Sequence, residues 1–271
     1  MPSLSIEPNP RITFAVRHED DDVLVVDKPP GLATQPGLGH TTDTLLNGLF
    51  ALHGPRLQNL GRKRDFGLLH RLDRFASGLL VVALRPRAYD RLRDEFHQRR
   101  IAKFYWALTR SAPREPTGVI DRPIIEIQRA KRTARISRAG KPASTAYRVL
   151  SSTHLGSLIE CRPVTGRLHQ VRVHLDLIGC PILGDDLYGP GAVRAAAPRL
   201  ALHAHRLRLD HPSTGGPLDV RSPWPGDLRA LLRRLGLPRP DLVGSAQDTE
   251  KVARDGVSDE HAPLGEPPAP V

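Results

Sequence analysis

The densest polar cluster in the chain is His70-Arg71-Leu72-Asp73-Arg74, followed by Ser77-Gly78 and then the apolar run Leu79–Leu84. A carboxylate between two arginines, at a turn just before a rigid strand, sits where a sheet edge holds side chains for chemistry. The flanking guanidinium groups favour the ionised carboxylate, the nucleophilic or basic form. Taken alone, the same residues also fit a salt-bridged turn capping the strand. A second cluster runs from Arg162 through Pro163, Val164, Thr165, Gly166, Arg167, Leu168, His169, Gln170, Val171 and Arg172 to Val173 and His174. It predicts a helix beginning near Thr165–Arg167, whose free backbone N–H groups, together with Arg167, suit a phosphate or carboxylate. His169 and His174 fall about 140° apart around such a helix, too far to share one ion, so no metal site is expected there. Each histidine also fits a packing role beside the apolar stripe. The third cluster, Lys103-Phe104-Tyr105-Trp106-Ala107, reads as a strand with Lys103, Tyr105 and Ala107 on one face and Phe104 and Trp106 on the other. Cation and aromatic side by side suit a base-stacking surface, and equally the wet face of an amphipathic strand.

The elements that must position these residues follow from local pattern. Val23–Val26 is a β-branched strand ended by Lys28-Pro29-Pro30-Gly31, and Leu79–Leu84 reads as a strand buried on both faces. Thr41–Leu52 predicts a short helix capped by Thr41, Thr42 or Asp43, and polar His53–Phe66 predicts a loop. Arg87–Arg99 carries Tyr89, Leu92 and Phe96 along one helical side. Further strands are expected at Phe104–Leu108, Ala146–Leu150, Leu158–Cys161 and Leu202–Leu209. Between the first two of these the chain is studded with Arg129, Lys131, Arg132, Arg135, Arg138 and Lys141. Leu168, Val171, Leu175 and Ile178 keep helical spacing up to Gly179 and Pro181, a C-terminal stop. The alternation lacks a regular βαβ rhythm, which predicts an α+β fold with a mixed sheet.

The chain has 271 residues and a formal charge of +11. Residues 1–240 hold 38 basic and 22 acidic side chains, +16, whereas 241–271 carry −5. So basic a body suits a polyanion partner. Two cysteines, Cys161 and Cys180, without a CxxC pair indicate neither a disulfide framework nor zinc. No signal pattern or membrane-length apolar run is visible, so the expected location is cytoplasmic. Residues 1–14 are expected to form a loose arm, 15–242 the catalytic domain, and 243–271 a disordered tail rich in acid, Pro and Gly.

Together the clusters resemble RluA-type RNA pseudouridine synthases. His70-Arg71-Leu72-Asp73 with Ser77-Gly78-Leu79-Leu80 is similar to the family signature. Asp22–Gly31, Lys103–Ala107, Arg162–His174 with Gly179–Asp185 and Tyr188-Gly189, and Leu202-His203-Ala204 with His211-Pro212 resemble its other motifs, in order, over about residues 15–235. The resemblance implies an α+β fold whose mixed, mainly antiparallel sheet is split by a basic catalytic cleft. It implies Asp73 as nucleophile or general base, Tyr105 stacked on an extruded uracil, and Arg172, rather than Arg167, paired with Asp73. It further implies base or RNA contacts from His70, Arg71, Lys103, Arg167, His169 and Leu202, with Arg71 filling the gap left in the RNA stack. A monomer acting on rRNA or tRNA without cofactor or metal is expected, because the isomerisation needs neither redox change nor group transfer. Ala76 in place of a usual Thr and Leu168 in place of a small hydroxyl residue depart from the pattern. Residues 1–14 are expected to be too short for the small extra RNA-binding domain that many relatives carry. The competing readings are an RNA-binding or remodelling protein that has lost catalysis, and a metal-dependent hydrolase using His70, Asp73 and His169.

Overall fold

The computed structural model describes residues 4–37, 39–128 and 132–242. Tail residues 243–271, together with Arg129 and Lys131, lie outside the described residues. In chain order the strands are β1 (Ala15–Glu19), β2 (Val23–Lys28), β3 (Ser77–Ala83), β4 (Ala102–Thr109), β5 (Thr117–Asp121), β6 (Ile124–Ile127), β7 (Thr133–Ile136), β8 (Ser144–Thr153), β9 (Gly156–Pro163), β10 (Leu202–Asp210) and β11 (Pro217–Arg221). The helices are α1 (Leu45–Leu60), α2 (Pro86–His97), α3 (Gln170–Leu177), α4 (Gly191–Ala195) and α5 (Arg229–Arg234). Nine strands form one sheet in the order β1-β2-β3-β10-β4-β9-β8-β5, with β11 beside β10, and β6 and β7 form a separate hairpin. The aliphatic runs of β2 and β3 pair antiparallel at the centre of the core, and every residue of β3 is buried. The α+β class and the mixed, mainly antiparallel sheet follow the sequence expectation.

The single parallel pairing of that sheet is short and decides where the site lies. β3 meets β10 only at Ser77 with His203 and at Gly78 with Ala204. From Arg206 onward the edge of β10 that β3 has left is taken by β11. Past Gly78 the edge of β3 is closed instead by side-chain and loop contacts. The Val81 N–H donates to His70 Nε2 at 3.1 Å, and Leu68 bridges to Val82. The segment between Leu68 and Ala76 thus fills a split in the sheet. Gly78 is required at the junction, with φ +115° and a Cβ that would lie 2.2 Å from the Ala204 carbonyl oxygen.

Four local expectations are corrected. Helix α1 begins at Leu45, after the Thr44 cap, and runs on past Leu52 to Leu60, with a kink at His53 and Pro55 just beyond it. Proline is tolerated there because it opens the second segment, where its missing N–H has no helical acceptor to lose. Leu57 and Leu60 are buried, so His53–Phe66 is helix followed by a 3-10 turn rather than a loop. Helix α3 starts at Gln170, not near Thr165–Arg167. The Gln170 carboxamide oxygen accepts from Thr165 Oγ1 (2.6 Å) and from the Arg167 N–H (3.0 Å), so that backbone donor is already used. The arm is not loose within residues 4–14. Leu4, Ile6 and Phe14 pack on the main core, Asn47 Nδ2 donates to the Glu7 carbonyl, and Asn9 Nδ2 donates to that of Thr42. Its apolar residues bury surface that α1 would otherwise expose. Among the described residues no helix is long and apolar enough to cross a membrane.

Candidate active site

The split opens into a cleft of about 500 Å³. His70, Arg71, Asp73, Lys103, Tyr105, Arg167, His169, Arg172 and Leu202, the residues singled out in the sequence, all line it. They arrive from the turn before β3, from β4, from the start of α3 and from the first residue of β10. Phe104 and Trp106 point away, and Trp106 stacks on His205 at 3.8 Å.

Asp73 rides on a turn closed by the Ala76 N–H donating to its own carbonyl (3.1 Å). The turn is clamped from behind. Thr34 Oγ1 donates to the Leu72 carbonyl, the Gly31 N–H donates to that of Arg74, and Arg74 Nε donates to that of Gly31. Lys28, wholly buried, donates from Nζ to the carbonyls of Pro29, Leu32, Arg74 and Ala76 at 2.7–3.2 Å. Burial pushes this ammonium down to about 7, partly opposed by the charge of Asp73. The Lys-Pro-Pro-Gly turn therefore serves as the seat of the Asp73 turn.

The Asp73 side chain is one-fifth exposed and its Oδ2 accepts from Arg172 Nη1 at 3.2 Å. Arg172 is buried and held on its other edge. Its Nε and Nη2 donate to the two oxygens of Asp185 at 2.8 and 2.7 Å, and Nη2 also reaches Asp186 at 3.4 Å. Burial works to raise the Asp185 carboxyl. Arg172 and the N–H groups of Leu187 and Tyr188 outweigh it and hold the group below the usual carboxylate range. For Arg172 burial is likewise outweighed by Asp185 and Asp73, which keep the guanidinium charged. Gly184, with φ +76°, brings the chain so close to Arg199 that a Cβ would lie 1.9 Å from its carbonyl oxygen, and this sets Asp185 beneath Arg172.

Tyr105 is buried on the cleft wall. Burial and the Asp73 charge push its phenol well above the ordinary range, so it stays protonated. Leu202 is buried beside it in the wall. Lys103 lies with Nζ 5.4 Å from the Phe96 ring centroid, pushed down to about 8 by burial. His70 is kept neutral by burial and by Lys103, which push it down to about 3, and its Nε2 is engaged with Val81. Arg71 is exposed at the cleft mouth, and Arg167 Nε donates to the Pro142 carbonyl at 3.0 Å. His169 Nε2 lies 4.0 Å from Asp73 Oδ1. The set His70, Asp73 and His169 does not converge on one point. Among the described residues the grouping with metal-ligand spacing is Asp20, Asp22 and His211, outside the cleft lining.

Reasoning from the sequence missed Lys28, Asp185 and Tyr188 as parts of the site. The signal was there in Gly184-Asp185 and Tyr188-Gly189, which frame a turn, but nothing local says that the turn folds beneath Arg172.

A split mixed sheet with a carboxylate–guanidinium pair at the floor of a basic cleft places the molecule among pseudouridylate synthase folds. It superposes on the human RNA pseudouridylate synthase domain containing 1 with a TM-score of 0.68 and 28% identity, covering 92% of this chain and 98% of that one. For the human domain-containing 4 protein the values are 0.66 and 29%, covering 83% and 94%. The RNA pseudouridylate synthase family model matches residues 22–177. The chain belongs to that family, in its RluA-type branch. It is 40% identical over 231 residues to the ribosomal large subunit pseudouridine synthase D of Nitrosomonas europaea, covering 83% of this chain and 66% of the relative. It is 37% identical over 220 residues to the uncharacterized RNA pseudouridine synthase YlyB of Bacillus subtilis, covering 81% and 72%. The chain thus spans about two thirds of the length of the curated relatives it matches.

Proposed function

We propose that this chain isomerises uridine to pseudouridine in large-subunit ribosomal RNA. The reaction breaks the bond between uracil N1 and ribose C1′, turns the ring, and joins C5 to C1′. The proton on C5 leaves to solvent and N1 gains one, so atoms and electrons balance without a cofactor. Family membership supports the reaction, and relatives that are ribosomal large subunit pseudouridine synthases support the RNA class. The observation that carries the assignment of roles is the Asp73–Arg172 pair at the floor of the cleft. Asp73 acts as nucleophile or general base at the ribose or the ring. Arg172 holds the carboxylate charged and oriented. Protonated Tyr105 and apolar Leu202 hold the base between them.

Uracil in stacked RNA cannot reach Asp73, so the nucleotide must flip out, at a cost of a few kcal/mol. Phosphate contacts from the basic body offset that cost. In this reading Arg71, exposed at the mouth, occupies the vacated stack, and Lys103 and Arg167 line the path of the strand. Action on ribosomal RNA goes with a cytoplasmic location. The test is tritium release from RNA labelled at uridine C5. Wild type is expected to release label and Asp73→Asn to release none while binding RNA normally. Retained release by the variant removes Asp73 from the mechanism. A wild-type protein that binds RNA but never releases label would favour the binding-protein reading.

A further inference from the structure

The Asp73–Arg172 pair and the RNA contacts above leave His169, on the cleft lining, without a role. His169 caps the start of α3 with φ +52°, a left-handed conformation that a Cβ makes costly and that is retained where surrounding contacts enforce it. Its ring lies between two groups, with Nδ1 2.7 Å from Tyr188 Oη and Nε2 4.0 Å from Asp73 Oδ1. Tyr188 is itself fixed on several sides. Its Oη accepts the N–H of Ala134, in β7, at 2.8 Å. Its own N–H donates to Asp185, and Arg172 Cζ lies 5.0 Å from its ring centroid.

These contacts decide where the protons are. The Tyr188 oxygen already accepts from Ala134, and its hydroxyl proton has His169 Nδ1 as partner. Leaving that proton without an acceptor in a half-buried site costs free energy. A neutral imidazole that accepts at Nδ1 carries its hydrogen on Nε2, the nitrogen turned to Asp73. Burial, with Arg172 and Arg71 nearby, keeps the ring neutral against the pull of Asp73 and Asp185.

We propose that Tyr188 and His169 are positioning residues for the isomerisation: Tyr188 fixes the Nε2–H tautomer of His169, and that N–H steers the Oδ1 side of Asp73 while Arg172 holds Oδ2. The proposal rests on the role given to Asp73 above. The 4.0 Å separation closes when the carboxylate turns about its Cβ–Cγ bond, as catalytic hydrogen bonds tighten once substrate is bound. The relay starts at the β6–β7 hairpin, which packs on α3 through Ile124, Ala134 and Val173. Two hydrogen bonds thus join the hairpin to His169, and the approach of His169 Nε2 to Asp73 Oδ1 carries the hairpin's seating to the carboxylate.

The experiment has two arms on the full chain. The first is a long-range ¹H–¹⁵N correlation of histidine-labelled protein without RNA, for wild type and Tyr188→Phe. The second is tritium release from a large-subunit rRNA transcript labelled at uridine C5, for wild type, Tyr188→Phe, His169→Ala and His169→Gln. His169 is expected as the neutral Nε2–H tautomer in wild type and as a mixture in Tyr188→Phe. kcat is expected to fall about 10-fold in Tyr188→Phe and about 100-fold in His169→Ala, with RNA affinity within about twofold of wild type. His169→Gln, which keeps an N–H donor, is expected to recover most of the rate. An Nδ1–H tautomer in wild type, full turnover by His169→Ala, or losses confined to RNA affinity would each overturn the proposal. A wild-type chain that releases no tritium overturns the isomerase reading instead, and the tautomer arm still decides the role of Tyr188.

Discussion

Asp73 and Arg172 meet at 3.2 Å, yet the two sides of the split sheet hold them by opposite means. On the β3 side the protein grips the main chain. Thr34, Gly31 and Lys28 bind the carbonyls and amides of residues 72–76, and among the described residues the Asp73 carboxylate accepts a hydrogen bond from Arg172 alone. On the α3 side it grips the side chain, with Asp185 taking the Nε–Nη2 edge of the Arg172 guanidinium through two hydrogen bonds and Asp186 adding a third contact. The contrast fits the chemistry. In the proposed reaction Asp73 must turn toward substrate, so its backbone is fixed and its carboxylate is held at one oxygen by Arg172. A stabilising charge must not move, so its head is fixed, and little reorganisation is left for the reaction itself.

The contrast predicts graded losses. Arg172→Met removes the fixed charge and is expected to lower kcat about 10²- to 10³-fold, measured by tritium release. Arg172→Lys should rescue little, because one ammonium cannot span Asp73 and Asp185 as the forked guanidinium does. Near-wild-type turnover by the lysine variant would show that charge, not geometry, is what the site needs. Gly78→Ala strikes the β3–β10 junction, where the new Cβ would collide with the backbone of Ala204. A loss of about 3 kcal/mol or more is expected by denaturant titration, and an unchanged midpoint would mean the strands can part without cost.

Lys28→Met loosens the main-chain grip. It strands carbonyls that Nζ now serves, each costing roughly 1–3 kcal/mol if left unpaired, offset in part by no longer burying a charge. A net loss of about 2 kcal/mol is expected, with kcat falling more than RNA affinity. Equal falls would place Lys28 in binding rather than in support of Asp73. The smallest effect is expected at Lys103. Its ammonium is pushed down to about 8 by burial, so it loses charge as pH rises through that value and RNA affinity should weaken there. Lys103→Met should abolish this step and reduce the salt dependence of binding by about one phosphate contact.

The grip on Asp73 was half legible in the sequence, and the grip on Arg172 hardly at all. The aliphatic runs of β2 and β3 announce buried strands, and His70–Asp73 beside Ser77-Gly78 announces a turn before one of them. The third motif names Arg172 but places its helix too early. Gln170, four residues beyond Gly166, ties Thr165 and Arg167 into a turn, and hydrophobic periodicity does not register side-chain hydrogen bonds. β1, β5 and β11 escape notice because they are short, polar-faced and partnered on one side only, so little burial shapes their composition. Asp185 and Tyr188 carry no local sign of their roles, because their contacts to Arg172 and His169 depend on how a turn after α3 folds back. Pairing of Ser77 with His203, which opens the cleft, joins segments far apart in the chain and is a property of the whole fold.

The central claim is that Asp73 performs chemistry on RNA uridine. Pseudouridine mapping of total RNA from cells lacking the gene, complemented by wild type or by Asp73→Asn, tests it most directly. Discrete uridines in large-subunit rRNA should lose pseudouridine in the deletion, regain it with wild type and stay unmodified with Asp73→Asn. Restoration by the Asp73→Asn chain would contradict the account.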